Sequence, residues 1–431
     1  MRIVSLTKQS QEELLELLKG RNPASYTSQQ AAVDDIIANV REKKDEAVFL
    51  YEKQFDHCEL SRENLRVTRK EIEEAYRELD PEFVEVMKRA AENIRAYHEK
   101  QKVNSWITTK EDGTILGQKV TPIEVSGCYV PGGRAVYPSS VLMNIIPAKV
   151  AGVPKIIMCT PPNAEGKAPA GSLVAADIAG ADEIYKVGGA QAIAAMAYGT
   201  ETIPKADKIT GPGNIYVALA KKACFGITGI DSVAGPSEIL VIADETADPR
   251  YIAADLLSQA EHDPLASAIL LTTSKAFAEQ VSAEIDRFLE TLSRAEIIRE
   301  SLDNYGYAFV GETMDDMIEA ANAIASEHME IVTKDAFEVM TKIKNAGAIF
   351  LGSYSSEPLG DYYAGPNHIL PTNGTARFFS PLGVDQFIKK TSIISYSKEA
   401  LERVHEDIEL FAANEGLTAH ANSIAVRFDG K

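Results

Sequence analysis

Gln259 and His262 stand three residues apart at the close of an apolar-striped segment, so on a helix they share one face. An amide oxygen beside a neutral imidazole can hold a divalent metal, although a helix end whose polar groups simply meet solvent has the same pattern. Glu327 and His328 are an adjacent acid and imidazole at an element boundary, which could supply two separate bases. The plainer alternative is a solvated helix terminus, where a histidine also suits the dipole. Asp361 lies between glycines in Leu359-Gly-Asp-Tyr-Tyr-Ala-Gly-Pro-Asn-His368, where a stiff loop could offer its carboxylate to a metal. His368 is a rival for that role, but an Asn-His before a strand reads as a turn. Glu415 and His420 put a carboxylate and an imidazole around a helix stop at Gly416. His57, His98 and His405 read as surface residues.

Three glycine-rich turns follow expected strands: Tyr129-Val-Pro-Gly-Gly-Arg134, Val187-Gly-Gly-Ala-Gln191 and Gly211-Pro-Gly-Asn214. Such turns let backbone N–H groups approach phosphates. None is a full G-x-G-x-x-G, and each alone reads as a strand-to-helix turn. Together they favour a nucleotide surface of unorthodox design. Cys58, Cys128, Cys159 and Cys224 are scattered without a C-x-x-C, and none has the electropositive setting that a reactive thiolate needs.

The elements that must carry these groups have clear punctuation. Asp248-Pro249 opens the helix that ends at Gln259-Ala260, with Ile252, Ala253, Leu256 and Leu257 as its buried stripe. Leu14, Leu15, Leu17 and Leu18 predict a helix stopped near Gly20. Val33, Ile36, Ile37 and Val40 predict another, and Asp45 is placed to cap a third running to Phe55. Thr68-x-x-Glu71 resembles a capping box. Asp80-Pro81 starts a helix with Phe83, Met87, Ala90, Ile94 and Tyr97 on one side. From about residue 117, β-branched runs alternate with Ala-rich segments, which predicts mostly parallel sheets covered by helices. The runs are Lys155–Cys159, Glu183–Val187, Glu238–Ile242, Ala268–Leu271, Tyr307–Val310, Glu330–Thr333 and Ala348–Leu351. Ligands of such sheets are expected at the carboxyl ends of the strands. Residues 353–381 read as one long functional loop, and a last helix is expected from Lys398 to Glu415.

The chain has 431 residues, 45% hydrophobic and 25% charged, so it can bury a large core over about two to four domains. Its formal net charge of −19 argues against nucleic acid or an anionic membrane as partner. The N-terminus shows no signal-peptide core and no run is long enough to span a bilayer, so a reducing cytoplasm fits best.

Ile230-Asp-Ser-Val-Ala-Gly-Pro-Ser-Glu-Ile239 through Gln259-Ala-Glu-His262 is similar to the long signature of the histidinol dehydrogenase family. The resemblance runs from Tyr129-Val-Pro-Gly-Gly through Ser326-Glu-His-Met-Glu330 and Gly360-Asp-Tyr-x-Ala-Gly-Pro-Asn-His368 to Glu415-Gly-Leu-Thr-Ala-His420. It implies oxidation of L-histidinol to L-histidine, the last steps of histidine biosynthesis, with two NAD reduced in succession. It implies one Zn2+ per subunit held by Gln259, His262, Asp361 and His420, with Glu327 and His328 as general bases. Substrate contacts implied are Ser237, Gln259, His262, His328, Asp361, Glu415 and His420, and NAD contacts are Tyr129, Gln191 and Asn214. The implied fold is α/β, with two Rossmann-like domains related to aldehyde dehydrogenases and helical appendages at both ends. Expected limits are 1–25 for the N-terminal helical appendage and 26–128 with 238–380 for a discontinuous α/β domain carrying most metal and catalytic residues. An inserted NAD-binding domain follows at 129–237, and 381–431 is a dimerisation tail that completes the partner's site in a homodimer. A cysteine-dependent aldehyde dehydrogenase, a zinc hydrolase and a nucleotide-sensing scaffold are the competing readings.

Overall fold

A computed structural model describes residues 1–21, 26–132, 137–233 and 235–429. Gly133 and Arg134 of the first glycine-rich turn, Ala234 of the long signature and the last residues of the expected N-terminal appendage lie outside the described residues. The strands are β1 (Arg2–Ser5), β2 (Trp106–Thr109), β3 (Ile115–Pro122), β4 (Val125–Tyr129), β5 (Lys155–Thr160), β6 (Glu183–Lys186) and β7 (Lys208–Thr210). They continue as β8 (Gly229–Ile230), β9 (Glu238–Ala243), β10 (Ser267–Thr272), β11 (Gly306–Val310), β12 (His328–Val332), β13 (Ala348–Leu351) and β14 (Ile388–Ser395).

The chain divides into two compact units, residues 1–101 with 123–387, and residues 102–122 with 388–431. The larger unit contains a six-stranded sheet in the order β1-β11-β10-β9-β12-β13 and a five-stranded sheet in the order β6-β5-β4-β7-β8. Every pair in both is parallel. Strands buried on both faces need apolar side chains at successive positions. In β9, Ile239 and Val241 pack towards Ile252 and Leu256, while Leu240 and Ile242 pack towards Met317 and Leu14.

Helix starts follow the sequence where a polar side chain meets a Pro. Asp248 accepts from the Arg250 N–H and Asp80 from the Glu82 N–H, each with Pro in the first turn. Thr68 and Glu71 form the expected capping box. Asp45 does not cap its helix but is its first residue, and its carboxylate accepts from the Thr202 hydroxyl at 2.7 Å. In the helix Pro81–Glu99 the buried residues are Val84, Met87, Ala90, Ala91, Ile94 and His98, while Phe83 and Tyr97 are exposed. The centre of the expected face, Met87, Ala90 and Ile94, is buried as read, while at its ends Val84 and His98 are buried in place of Phe83 and Tyr97. His98 is a core residue whose Nδ1 lies 2.7 Å from Gln101 Oε1.

Three domain limits differ from expectation. The first residues form β1, which adds in parallel to the edge of the six-stranded sheet at β11, so the N-terminal segment is a strand and a helix and not a helix alone. The helices between residues 27 and 99 pack on the five-stranded sheet, with Val33 and Ile37 beside Ile157 and Met87 and Ile94 beside Ile156. A boundary at 128/129 would cut β4. Residues 102–122 belong with the C-terminal tail, because β3 pairs antiparallel with all of β14 from Ile388↔Pro122 to Ser395↔Ile115. The expected last helix is broken at Arg403–Val404 into Lys398–Glu402 and His405–Asn414. Among the described residues no helix is long and apolar enough to cross a membrane.

Candidate functional site

The metal and base candidates of the larger unit gather at the amino ends of β9 and β12, opposite to the carboxyl-end placement expected from the general rule. Glu238 opens β9 and His328 opens β12, and the two strands are hydrogen-bonded neighbours. The geometry of a βαβ unit explains why this edge suits a cation. The helix Pro249–Ala260 runs back between two parallel strands, so its carboxyl end arrives where β10 begins. Its last carbonyls carry the negative pole of the helix to the place where Gln259 and His262 stand.

Glu327 and His328 do not end a helix. The preceding helix stops at Ile324, Ala325 takes a left-handed turn at φ 56°, and His328 is already the first strand residue. His328 Nδ1 lies 3.1 Å from the Glu238 carbonyl oxygen, which can only accept, so Nδ1 carries the hydrogen and Nε2 the lone pair. Nε2 is buried with no hydrogen-bond partner and sits 3.8 Å from Asp361 Oδ1. Burial pulls the His328 imidazole down to about 3, so it is neutral at ordinary pH. Glu327 Oε2 accepts from the Glu238 N–H at 3.0 Å and lies 3.7 Å from His328 Nδ1. Burial, with the Glu238 charge next, pushes the Glu327 carboxyl well above its ordinary range.

Asp361 is on a short helix, Glu357–Tyr362, and not in a loop. That helix places Glu357 four residues before it on the same face. Their ligand atoms and that of His328 all lie within 4.8 Å of one another. Burial lifts Glu357 to about 7 and Asp361 to about 6. Glu357 Oε2 accepts from the Ser258 hydroxyl at 2.6 Å, and its N–H donates to Glu330 Oε1 at 2.8 Å. Sequence reasoning missed Glu357 because Pro358 and Gly360 made the segment read as a loop; the signal was its spacing from Asp361. It also set His368 aside. His368 Nδ1 is 3.0 Å from the Asp361 carbonyl and Nε2 is 3.2 Å from Ser140 Oγ, so this imidazole braces the turn that presents Asp361.

Two observations fit a divalent metal here. Gln259 is 1% exposed and its Oε1 is buried without a partner, which costs stability unless something electropositive approaches it. Glu238, Glu327, Glu330 and Glu357 are all buried, and the buried cation paired with this group is Arg21, 2.5 Å from Glu238 Oε1. Carboxyls that burial and mutual repulsion push toward the protonated form are the groups whose ionised form a bound cation would stabilise. His262, exposed just past the helix, adds charge repulsion to the burial that lowers the imidazoles of His328 and His368. Ser237 is half-buried immediately before β9, and its carbonyl accepts from the Ser267 N–H at 3.0 Å. Glu415 and His420 lie in the smaller unit, both exposed, beside a hollow of about 390 Å³ lined also by Phe411 and Leu417.

The glycine-rich turns leave the carboxyl ends of β4, β6 and β7 in the five-stranded sheet, the placement the general rule expects. Helices begin at Gly189 and Ile215, so their amino ends point to this edge and favour anions. The turn N–H groups are nevertheless already engaged. Gly188 donates to Glu52 Oε1 at 3.0 Å, Gly189 to the Tyr129 hydroxyl at 3.0 Å and Gly211 to Asp231 Oδ2 at 2.8 Å. Gly211 has φ 119°, and a Cβ there would fall 2.0 Å from the Tyr129 carbonyl oxygen. Tyr129 and Gln191 are buried, and Asn214 caps the helix from Ile215 by accepting from the Tyr216 and Val217 N–H groups. All four cysteines are buried and unpaired, and burial raises every one of their thiols, so none is poised as a thiolate nucleophile.

The family model described as histidinol dehydrogenase matches residues 19–428. A histidinol dehydrogenase from Halalkalibacterium halodurans is 59% identical over 401 residues, 93% of this chain and 94% of the relative. One from Bacillus subtilis is 57% identical over 410 residues, 95% of this chain and 96% of the relative. The crystal structure of histidinol dehydrogenase from Elizabethkingia anophelis superposes with a TM-score of 0.94 at 38% identity, covering 99% of this chain and 98% of that one. With this likeness over nearly its whole length, the chain belongs to the histidinol dehydrogenase family.

Proposed function

We propose that this protein oxidises L-histidinol through L-histidinal to L-histidine, reducing two NAD in succession at one site. The observation that carries the reading is the neutral His328, whose unpartnered Nε2 faces Asp361 at 3.8 Å beside the raised carboxyl of Glu327. Each oxidation removes a hydride to NAD and a proton to the protein. His328 Nε2 is the acceptor for the hydroxyl proton, since its other nitrogen is committed to the Glu238 carbonyl. The second oxidation needs water on the aldehyde. Glu327 takes that water's proton; when ionised, its raised carboxyl is a stronger base than an exposed glutamate.

Gln259, His262 and Asp361 would hold the Zn2+, with His420 as fourth ligand, and one ion per subunit would fix the substrate's nitrogen donors and hold the carboxyls around it ionised. Ser237, His328 and Glu415 complete the substrate contacts. Tyr129, Gln191 and Asn214 contact NAD on the five-stranded sheet, while the residues about the six-stranded sheet carry the metal and bases. His420 and Glu415 come from the second subunit of a homodimer. Ile394, Leu410 and Phe411, 73%, 65% and 71% exposed in the smaller unit, support a buried interface there, because apolar groups so exposed are costly in water. A reducing cytoplasm suits the four unpaired cysteines.

The experiment is a count. Zinc-loaded protein with limiting L-histidinol and excess NAD should form about two NADH per histidinol, with histidine as product. One NADH per histidinol would mean that the aldehyde is released and the Glu327 assignment is wrong.

A further inference from the structure

Glu52 lies on the helix Asp45–Phe55, far in sequence from every residue discussed so far as functional, and it is completely buried. Its Oε1 accepts two hydrogen bonds from the second glycine-rich turn, from the Gly188 N–H at 3.0 Å and from the Gln191 Nε2–H at 2.8 Å. Its Oε2 is buried with no hydrogen-bond partner. The turn is packed so that only glycine fits at both of its positions. A Cβ at Gly188 would meet Pro161 Cβ at 2.7 Å and Asp56 Oδ2 at 3.2 Å, and one at Gly189, at φ 59°, would meet Gln191 Oε1 at 2.7 Å. Tyr129 closes the same cluster by accepting from the Gly189 N–H.

We propose that Glu52 is a positioning residue of the cofactor site: it fixes the Gln191 carboxamide and the Gly188 backbone in the one arrangement that receives NAD. The inference rests on the reading that Gln191 contacts NAD. A primary amide is a two-ended group, and a partner that only accepts at Oε1 selects which end faces it. With Nε2 committed to Glu52, the Gln191 carbonyl oxygen is the end left for the ligand. Burial raises the Glu52 carboxyl to about 8, and Asp56 reinforces this, so a neutral side chain with the same acceptor oxygen can replace it. Glutamine has that oxygen; leucine has the volume without it.

The test uses the zinc-loaded enzyme and reads NADH binding by fluorescence titration together with KM for NAD and KM for histidinol. Loss of one buried hydrogen-bond partner weakens binding by about tenfold when the orphaned group must turn away. Glu52→Leu and Gln191→Ala should each weaken NADH binding and raise KM for NAD by about tenfold, with KM for histidinol unchanged. Glu52→Gln should stay within about twofold of the parent, and the Glu52→Leu/Gln191→Ala double variant should be no weaker than either single one. If Glu52→Leu does not fold, Glu52→Asp, which draws the carboxyl back from Gln191 by one methylene, is read the same way. Unchanged NAD affinity in Glu52→Leu or Glu52→Asp, with Gln191→Ala impaired, overturns the role of Glu52 alone. Unchanged affinity in Gln191→Ala overturns the Gln191 contact itself, and with it this inference. Equal loss of NAD and histidinol affinity would make Glu52 a general structural residue, which also overturns it.

Discussion

His328 Nε2 faces Asp361 Oδ1 across 3.8 Å, while His328 Nδ1 is held at 3.1 Å by the carbonyl of Glu238 on the neighbouring strand. One imidazole is therefore oriented by backbone on one side and open to chemistry on the other. The pairing of β12 with β9 sets that orientation, so it is as rigid as the sheet.

The division of labour proposed for Glu327 and His328 can be separated by substrate. Glu327→Gln keeps an acceptor for the Glu238 N–H but cannot take a proton from water. Its rate on L-histidinal should fall by about 10²–10⁴-fold, the usual contribution of a general base, with a much smaller loss on the alcohol step. Equal losses in single-turnover measurements of both steps would count against it.

Metal retention reports on the ligand set without reference to turnover. His262→Ala and Gln259→Ala should bind Zn2+ more weakly in a competition assay with a chromophoric chelator. Stripping the parent protein of metal should lower its melting temperature as well as abolish activity. A His262→Ala protein with full zinc content would remove His262 from the site.

Mixed dimers test whether the site is shared. An inactive His262→Ala chain and an inactive His420→Ala chain, mixed under conditions of proven subunit exchange, should recover part of the parent activity. No recovery would place both imidazoles in one subunit.

Arg21 and Glu238 form an ion pair whose side chains are 0% and 4% exposed. Arg21→Met leaves a buried carboxyl without its cation and should destabilise the larger unit by about 3–5 kcal/mol. Adding Glu238→Leu to that variant should restore much of the loss. Thermal unfolding of the four proteins in the cycle measures this, and full additivity of the two single losses would show that the pair is not coupled.

Glu52 also predicts a pH dependence of stability. Burial lifts its carboxyl from 4.5 to about 8, above its value in the unfolded chain. The stability it contributes is therefore whole below about 4.5 and lost as pH rises through about 8, with a slope of at most about 1.4 kcal/mol per pH unit. Glu52→Gln should flatten urea denaturation midpoints across that window, and an unchanged slope would show that Glu52 is ionised in the folded protein at neutral pH.

What the sequence determined by itself is what short-range interactions decide. Asp248-Pro249, Asp80-Pro81 and the Thr68–Glu71 box each satisfy N–H groups within one helical turn, so their helix starts were legible. The β-branched runs were legible as strands because most are buried on both faces, while the edge run Ala348–Leu351 is half-exposed. Gln259 and His262 were expected to share a helix face, but the helix closes at Ala260, leaving Gln259 buried within it and His262 exposed just past its cap. Only the tertiary structure decided which edge of which sheet receives each group. His328 and Asp361 meet because β12 inserts between β9 and β13, an order that no local pattern encodes. Glu357 was hidden because Gly360 disfavours a helix and the surrounding stretch is rich in turn residues, although Pro358 suits the first turn and burial against Ser258 and Glu330 holds the helix there. Likewise β1 and Glu52 act through partners some three hundred and some hundred and forty residues away, Tyr307 and Gln191. Non-local contacts of this kind are selected by the free energy of the whole packed core, and that is why they become visible only in the folded chain.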